Sequence, residues 1–129
     1  MSDRTFETGL SIRRKVLGDQ YVSSSFETAT DDFSRPLQEL ITRFVWGEIW
    51  TRPGLEHRVR SMINLAIMTA LNRPNELKLH LEGALRNGVT AEEIREVLLQ
   101  TAVYCGIPAA LDSFKIAEEV IRDLDLKNS

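Results

Sequence analysis

The chain has 129 residues, 43% of them hydrophobic and 27% charged, which suits one globular domain with a sizeable buried core. A net charge of −3 argues against a nucleic-acid binder, and the most apolar run, residues 62–71, is too short to span a bilayer. A single cysteine, Cys105, excludes a disulfide within one chain, and the N-terminus lacks the apolar core of a signal peptide, so the expected compartment is the cytoplasm.

Apolar residues recur at helical spacing nearly throughout. The expected fold class is therefore all-α, with about six helices in one compact domain over residues 1–129. Residues 4–20 predict a first helix and residues 21–32 a polar connection. Ser34 is placed to cap a second helix, with Pro36 tolerated in its first turn. Leu37, Leu40, Ile41 and Phe44 form a stripe expected to be buried, and Glu48 continues it. "TRPG" (51–54) breaks the chain before a third helix over residues 55–71, whose mostly apolar circumference predicts a central, buried element. A fourth helix carries Leu77, Leu81, Ala84 and Leu85 on one face and stops at Gly88. Thr90 and Glu93 spell a capping box that opens a fifth helix through Ile94, Val97, Leu98, Thr101, Tyr104 and Cys105, with Tyr104 and Cys105 on its inner face. "CGIP" (105–108) interrupts before a sixth helix to about Leu124.

His80 stands three residues after Leu77 and four before Ala84, so it shares the apolar face of the fourth helix. A core histidine held by a neighbour satisfies that pattern. A proton donor satisfies it too, because the imidazole titrates near neutrality. Residues 46–60 gather Trp46, Glu48, Trp50, Arg52, His57, Arg58 and Arg60. Guanidinium groups concentrated in an acidic chain suit bidentate capture of a carboxylate, and structural ion pairs are the plainer alternative. Glu48 is expected to pair with one of these arginines. Cys105, with no second cysteine to resolve it, reads as a buried structural thiol. Two histidines make a zinc site an unsuitable reading, and no glycine-rich phosphate loop or Ser-His-Asp order is present.

Three stretches carry a resemblance: "GLSIRRKVLGDQYV" (9–22), "WGEIWTRPGL" (46–55) and "LHLEGALRNGVTAEEIREVLLQTAVYCGIPAA" (79–110). Together they resemble the 4-carboxymuconolactone decarboxylases of the protocatechuate branch of the β-ketoadipate pathway. That family is related to the alkylhydroperoxidase D-like proteins, whose redox site is Cys-x-x-Cys followed by histidine. Here Arg73 and Glu76 stand where those cysteines would be and His80 stands at the histidine, so dithiol peroxide chemistry is not expected.

The resemblance implies an all-helical alkylhydroperoxidase D-like fold, a homotrimer or homohexamer, and a small dicarboxylate lactone as substrate. It implies loss of CO2 from that lactone to give 3-oxoadipate enol-lactone, with no metal or cofactor and no nucleic-acid or membrane partner. On that reading Arg58 binds a substrate carboxylate, helped by Arg52 or Arg60, and His80 delivers the proton. Trp46, Trp50 and Tyr104 wall the site, with Tyr104 facing the lactone oxygen, and Glu48 orients an arginine or His80. The competing expectations are a decarboxylase or isomerase of a related lactone, and a non-catalytic helical binding or assembly module.

Overall fold

The computed structural model of the protein describes residues 3–29 and 32–128. Among them there is no strand. Seven α-helices and one π-helical stretch divide into two compact units, the first ending at Glu56 and the second beginning at His57.

In the first unit, α1 (Arg4–Leu17) is capped by Asp3, whose carboxylate accepts from the Phe6 amide at 3.2 Å. Gly18, at φ 94°, ends α1 and starts α2 (Asp19–Thr28) at once, a backbone state that glycine adopts without the Cβ penalty. The polar segment expected to connect two helices is thus largely helical itself. Serine and threonine pay only a modest helix cost when their hydroxyls bond back to the preceding turn, as Ser25 does to the Tyr21 carbonyl and Thr28 to that of Ser24.

Helix α3 (Arg35–Leu40) continues without a break into a π-helix (Ile41–Ile49). Ser34 holds the N-cap position, its carbonyl accepting from Leu37 and Gln38. The wider turn ends in an i→i−5 bond from the Trp50 amide to the Val45 carbonyl at 3.0 Å. That turn brings Thr42, Trp46 and Trp50 to the buried side, with the two indoles stacked at 4.6 Å between centroids. Most of the stripe expected inside is outside, with Ile41 half-buried. Leu37, Leu40 and Phe44 are more than half exposed, and their polar continuation, Glu48, is exposed too.

Two glycines let α1 approach the π-helix. A Cβ on Gly9 would stand 2.1 Å from the Thr42 carbonyl oxygen, and one on Gly47 would stand 2.6 Å from that of Thr5. Beside this crossing Arg13 is buried, donating to Thr42 Oγ1 at 3.1 Å and to Gln38 Oε1 at 2.9 Å with its guanidinium over the Phe26 ring.

The second unit holds α4 (His57–Ala70), α5 (Pro74–Arg86), α6 (Ala91–Cys105) and α7 (Ile107–Asn128). Helix α4 packs against the other three. Leu65, Leu77, Leu81, Ile94 and Leu98 are fully buried at the centre, with Ala84, Val89, Ala117 and Val120 around them. Each large side chain removed from water contributes about 1.5–3 kcal/mol. Two pairs of polar groups inside are matched: Thr69 and Ser113 share a hydrogen bond of 2.8 Å, and Asn87 donates to Ser61 at 2.9 Å. The capping box forms as expected, with Glu93 accepting from the Thr90 amide and Thr90 from that of Glu93. Helix α4 is less enclosed than its sequence suggests, because Ile63, Ile67 and the following Leu71 reach the surface.

Candidate active site

Four of the expected site residues belong to the first unit. Trp46 and Trp50 are 2% and 4% exposed, and their rings pack on each other. Glu48 is exposed on the π-helix, and Arg52 lies exposed in the turn after it. The buried position expected of Glu48 is not the one it takes.

The second unit contains a cleft of about 540 Å³ between α4 and α6. Arg58, Met62 and Ala66 line one wall, and Val97, Thr101 and Tyr104 the other. The Arg58 guanidinium is engaged by the Glu93 carboxylate, and this contact holds that carboxyl below its ordinary range. The capping residue of α6 therefore also fixes the arginine at the mouth of the cleft. Tyr104 is 81% exposed, and Cys105 beside it is exposed as well. Both were expected on the inner face of α6, and the structure corrects this. The buried face stops at Thr101, because the last turn projects past the core and no element of the unit covers it.

His80 is not among the residues lining that cleft. It is half-buried on α5, and Asn64 of α4 presents its amide nitrogen Nδ2 to His80 Nδ1 at 3.5 Å. Burial pushes the imidazole below its usual pKa, while the Glu76 carboxylate one turn earlier works in the opposite direction. With 3.6 residues per turn, Arg60 and Asn64 share one side of α4, whereas Met62 and Ala66 point roughly the opposite way. Helix α4 thus has two flanks: Arg58 and Tyr104 stand together on one, and His80 with Asn64 on the other. Among the described residues no group of three His, Cys, Asp or Glu side chains is placed to hold a metal ion.

Comparison with known proteins then bears on what these groups do. The model of the carboxymuconolactone decarboxylase family matches residues 35–119. The chain belongs to that family. Its helical architecture is the alkylhydroperoxidase D-like one that the family implies. A 4-carboxymuconolactone decarboxylase of Acinetobacter baylyi is 40% identical over 124 residues, covering 96% of this chain and 92% of that protein. A nitrosuccinic acid decarboxylase of Metarhizium robertsii is 43% identical over 121 residues, 94% of this chain and 84% of that one. An uncharacterised 15.0 kDa protein of Paracoccus denitrificans is 27% identical over 117 residues.

Two residues of the site escaped the sequence reading. Asn64 is the one polar side chain between Met62 and Met68 in "MINLAIM", a signal that was available. Glu93 was legible as a cap, but nothing in the spacing links it to Arg58, 35 positions earlier.

Proposed function

We propose that this protein is a decarboxylase that converts 4-carboxymuconolactone to 3-oxoadipate enol-lactone and CO2. The observation that carries the reading is the 40% identity to the Acinetobacter enzyme along nearly the whole of both chains. In the substrate, the bond to the carboxylate on the γ carbon breaks and its electron pair moves through the ring double bond to the lactone carbonyl. A proton added at the α carbon completes the enol-lactone. The ring is its own electron sink, so the step balances without a cofactor. The protein must hold the second carboxylate, favour charge on the lactone oxygen and supply a proton.

His80 is our assignment for the proton. For the carboxylate we assign Arg60 ahead of Arg58. Arg60 shares the His80 side of α4, whereas Arg58 lies on the other flank and already holds Glu93. Tyr104 at the cleft, and Glu48, Trp46, Trp50 and Arg52 in the first unit, then act outside the proton-transfer step.

A second reading is supported by the 43% identity to the Metarhizium enzyme. Nitrosuccinate is also a dicarboxylate, and its nitro group can take the electron pair left by departing CO2 as the ring does in the lactone. The same demands on an arginine and a proton donor follow. A turnover assay separates the readings. Carboxymuconolactone is generated in situ and compared with nitrosuccinate at equal concentration, in chelator and without added cofactor, with CO2 release followed against the spontaneous rate. Faster turnover of the lactone is expected, and no acceleration of its decarboxylation would remove the first reading.

No described helix is long and apolar enough to cross a membrane. We also infer a cytoplasmic homo-oligomer, a trimer or hexamer, that works as one functional domain per chain. The support for an oligomer is the apolar surface left on each unit, Leu37, Leu40 and Phe44 on one and Val103, Ile107 and Leu111 on the other. Sedimentation as a monomer at micromolar concentration would remove that part.

A further inference from the structure

A histidine that gives a proton to carbon must start as imidazolium, because a neutral ring that gave up its one N–H would be left as imidazolate. Burial opposes that cation, and His80 is half-buried, so the ring needs a negative charge nearby. Glu76 stands four residues earlier, in the first turn of α5, which puts carboxylate and ring on one side of the helix, about one turn apart. Acid before cation is the favourable order at this spacing. Its charge is the one that favours the protonated ring. Helix α4 packs against the same side, and its 3.6-residue repeat turns His57, Arg60 and the uncharged Asn64 that way, none of them an anion. Helix α7 lies along the other side of α5, where Lys78, Glu82 and Leu85 border a groove with Val120 and Asp123. We infer that Glu76 is a positioning residue that supplies the counter-charge for a doubly protonated His80, so that imidazolium is the acid in turnover. The role in turnover rests on the decarboxylase reading, whereas the coupling of Glu76 to His80 does not.

The step then balances. The C–C bond to the γ carboxylate breaks, CO2 leaves, and the electron pair spreads through the ring double bond to the lactone carbonyl. That pair returns to form the C–H bond at the α carbon as an imidazolium N–H bond breaks, its own pair staying on nitrogen. His80 is left neutral and takes its next proton from water. A dicarboxylate and one proton are consumed, and a monocarboxylate and CO2 are formed. Glu76 exchanges no proton and touches no reacting atom. Its negative charge also repels a dianionic substrate, so removing it should harm proton transfer without weakening binding.

The test is a pH titration of His80 by nitrogen-15 NMR of histidine-labelled protein, beside kcat and KM over the same pH range. Wild type, Glu76→Gln and Glu76→Asp are compared, and His80→Gln assigns the signal between the two histidines. Position 76 is exposed, so neither replacement opens a cavity, and urea midpoints confirm folding. In wild type kcat is expected to fall as pH rises through the His80 titration. Glu76→Gln should move both midpoints down by roughly half a unit to one unit, lowering kcat above them by about 3- to 10-fold. The low-pH plateau of kcat should hold, and KM should not rise. Glu76→Asp keeps the charge and should restore most of the loss. An identical His80 titration in wild type and Glu76→Gln overturns the proposal. So does a kcat profile that ignores the His80 titration, or an equal loss in the glutamine and aspartate variants. Should the titration shift as described while wild type fails to accelerate loss of CO2 from the lactone, the coupling stands and the functional reading falls.

Discussion

Replacing Gly9 by alanine places a methyl group where the backbone leaves no space. The added Cβ would meet the Thr42 carbonyl oxygen at 2.1 Å and the Gly47 amide nitrogen at 2.8 Å, where ordinary contact begins at 3.4 Å. Both obstacles are backbone of the π-helix, so no rotamer relieves them. Helix α1 must instead shift by roughly 1 Å, and overpacking of this kind costs about 1–3 kcal/mol, with the upper figure expected when main chain moves. The same methyl on Gly54 meets nothing within 4 Å and serves as the control. The chain's two tryptophans, Trp46 and Trp50, both lie in this unit, so their fluorescence in a urea titration reports its unfolding. With a slope of about 2 kcal/mol per molar urea, Gly9→Ala should lower the midpoint by roughly 0.5–1.5 M, against little change for Gly54→Ala. Equal midpoints for the two variants would falsify the close crossing of α1 on the π-helix.

Two further outcomes concern the second unit. Burial holds the folded His80 below its ordinary pKa of 6.5. As pH falls through that value the unfolded chain takes up a proton that the folded ring resists, and stability drops. His80→Gln removes the difference, so urea midpoints of variant and wild type should diverge in the variant's favour between about pH 7.5 and 5.5. A constant offset across that range would mean that the ring titrates normally. Arg60→Ala should raise KM for the lactone by about 10- to 100-fold, the range of one charge-assisted hydrogen bond, and Arg58→Ala by less. The reverse order in steady-state kinetics would move the carboxylate to the cleft between α4 and α6.

Much of the second unit was legible from sequence alone. The Thr90–Glu93 capping box, the stop at Gly88 and the buried row Leu77, Leu81, Ile94 and Leu98 follow from hydrogen bonds and spacings that span a few residues. Local chemistry of this kind is present in the chain before it folds. His80 was likewise visible as a polar residue on an apolar face, and the family resemblance rested on contiguous motifs.

What spacing could not decide was the side of each helix that meets another. Leu37, Leu40 and Phe44 obey a 3.6-residue period, yet the buried side is the one with Thr42, Trp46 and Trp50, and those three lie outside. The crossing of α1 on the π-helix needs Gly9 and Gly47 so that two backbones can touch, a condition met only when residues 38 positions apart come together. Cys105 and Tyr104 continue a buried periodicity past the point where anything remains to cover them. The pairings Arg58 with Glu93 and Asn64 with His80 also join distant parts of the chain, and they place the two chemical clusters on different flanks of α4. Periodicity determines which residues share a stripe. Packing alone determines whether that stripe faces a neighbour, a cleft or water.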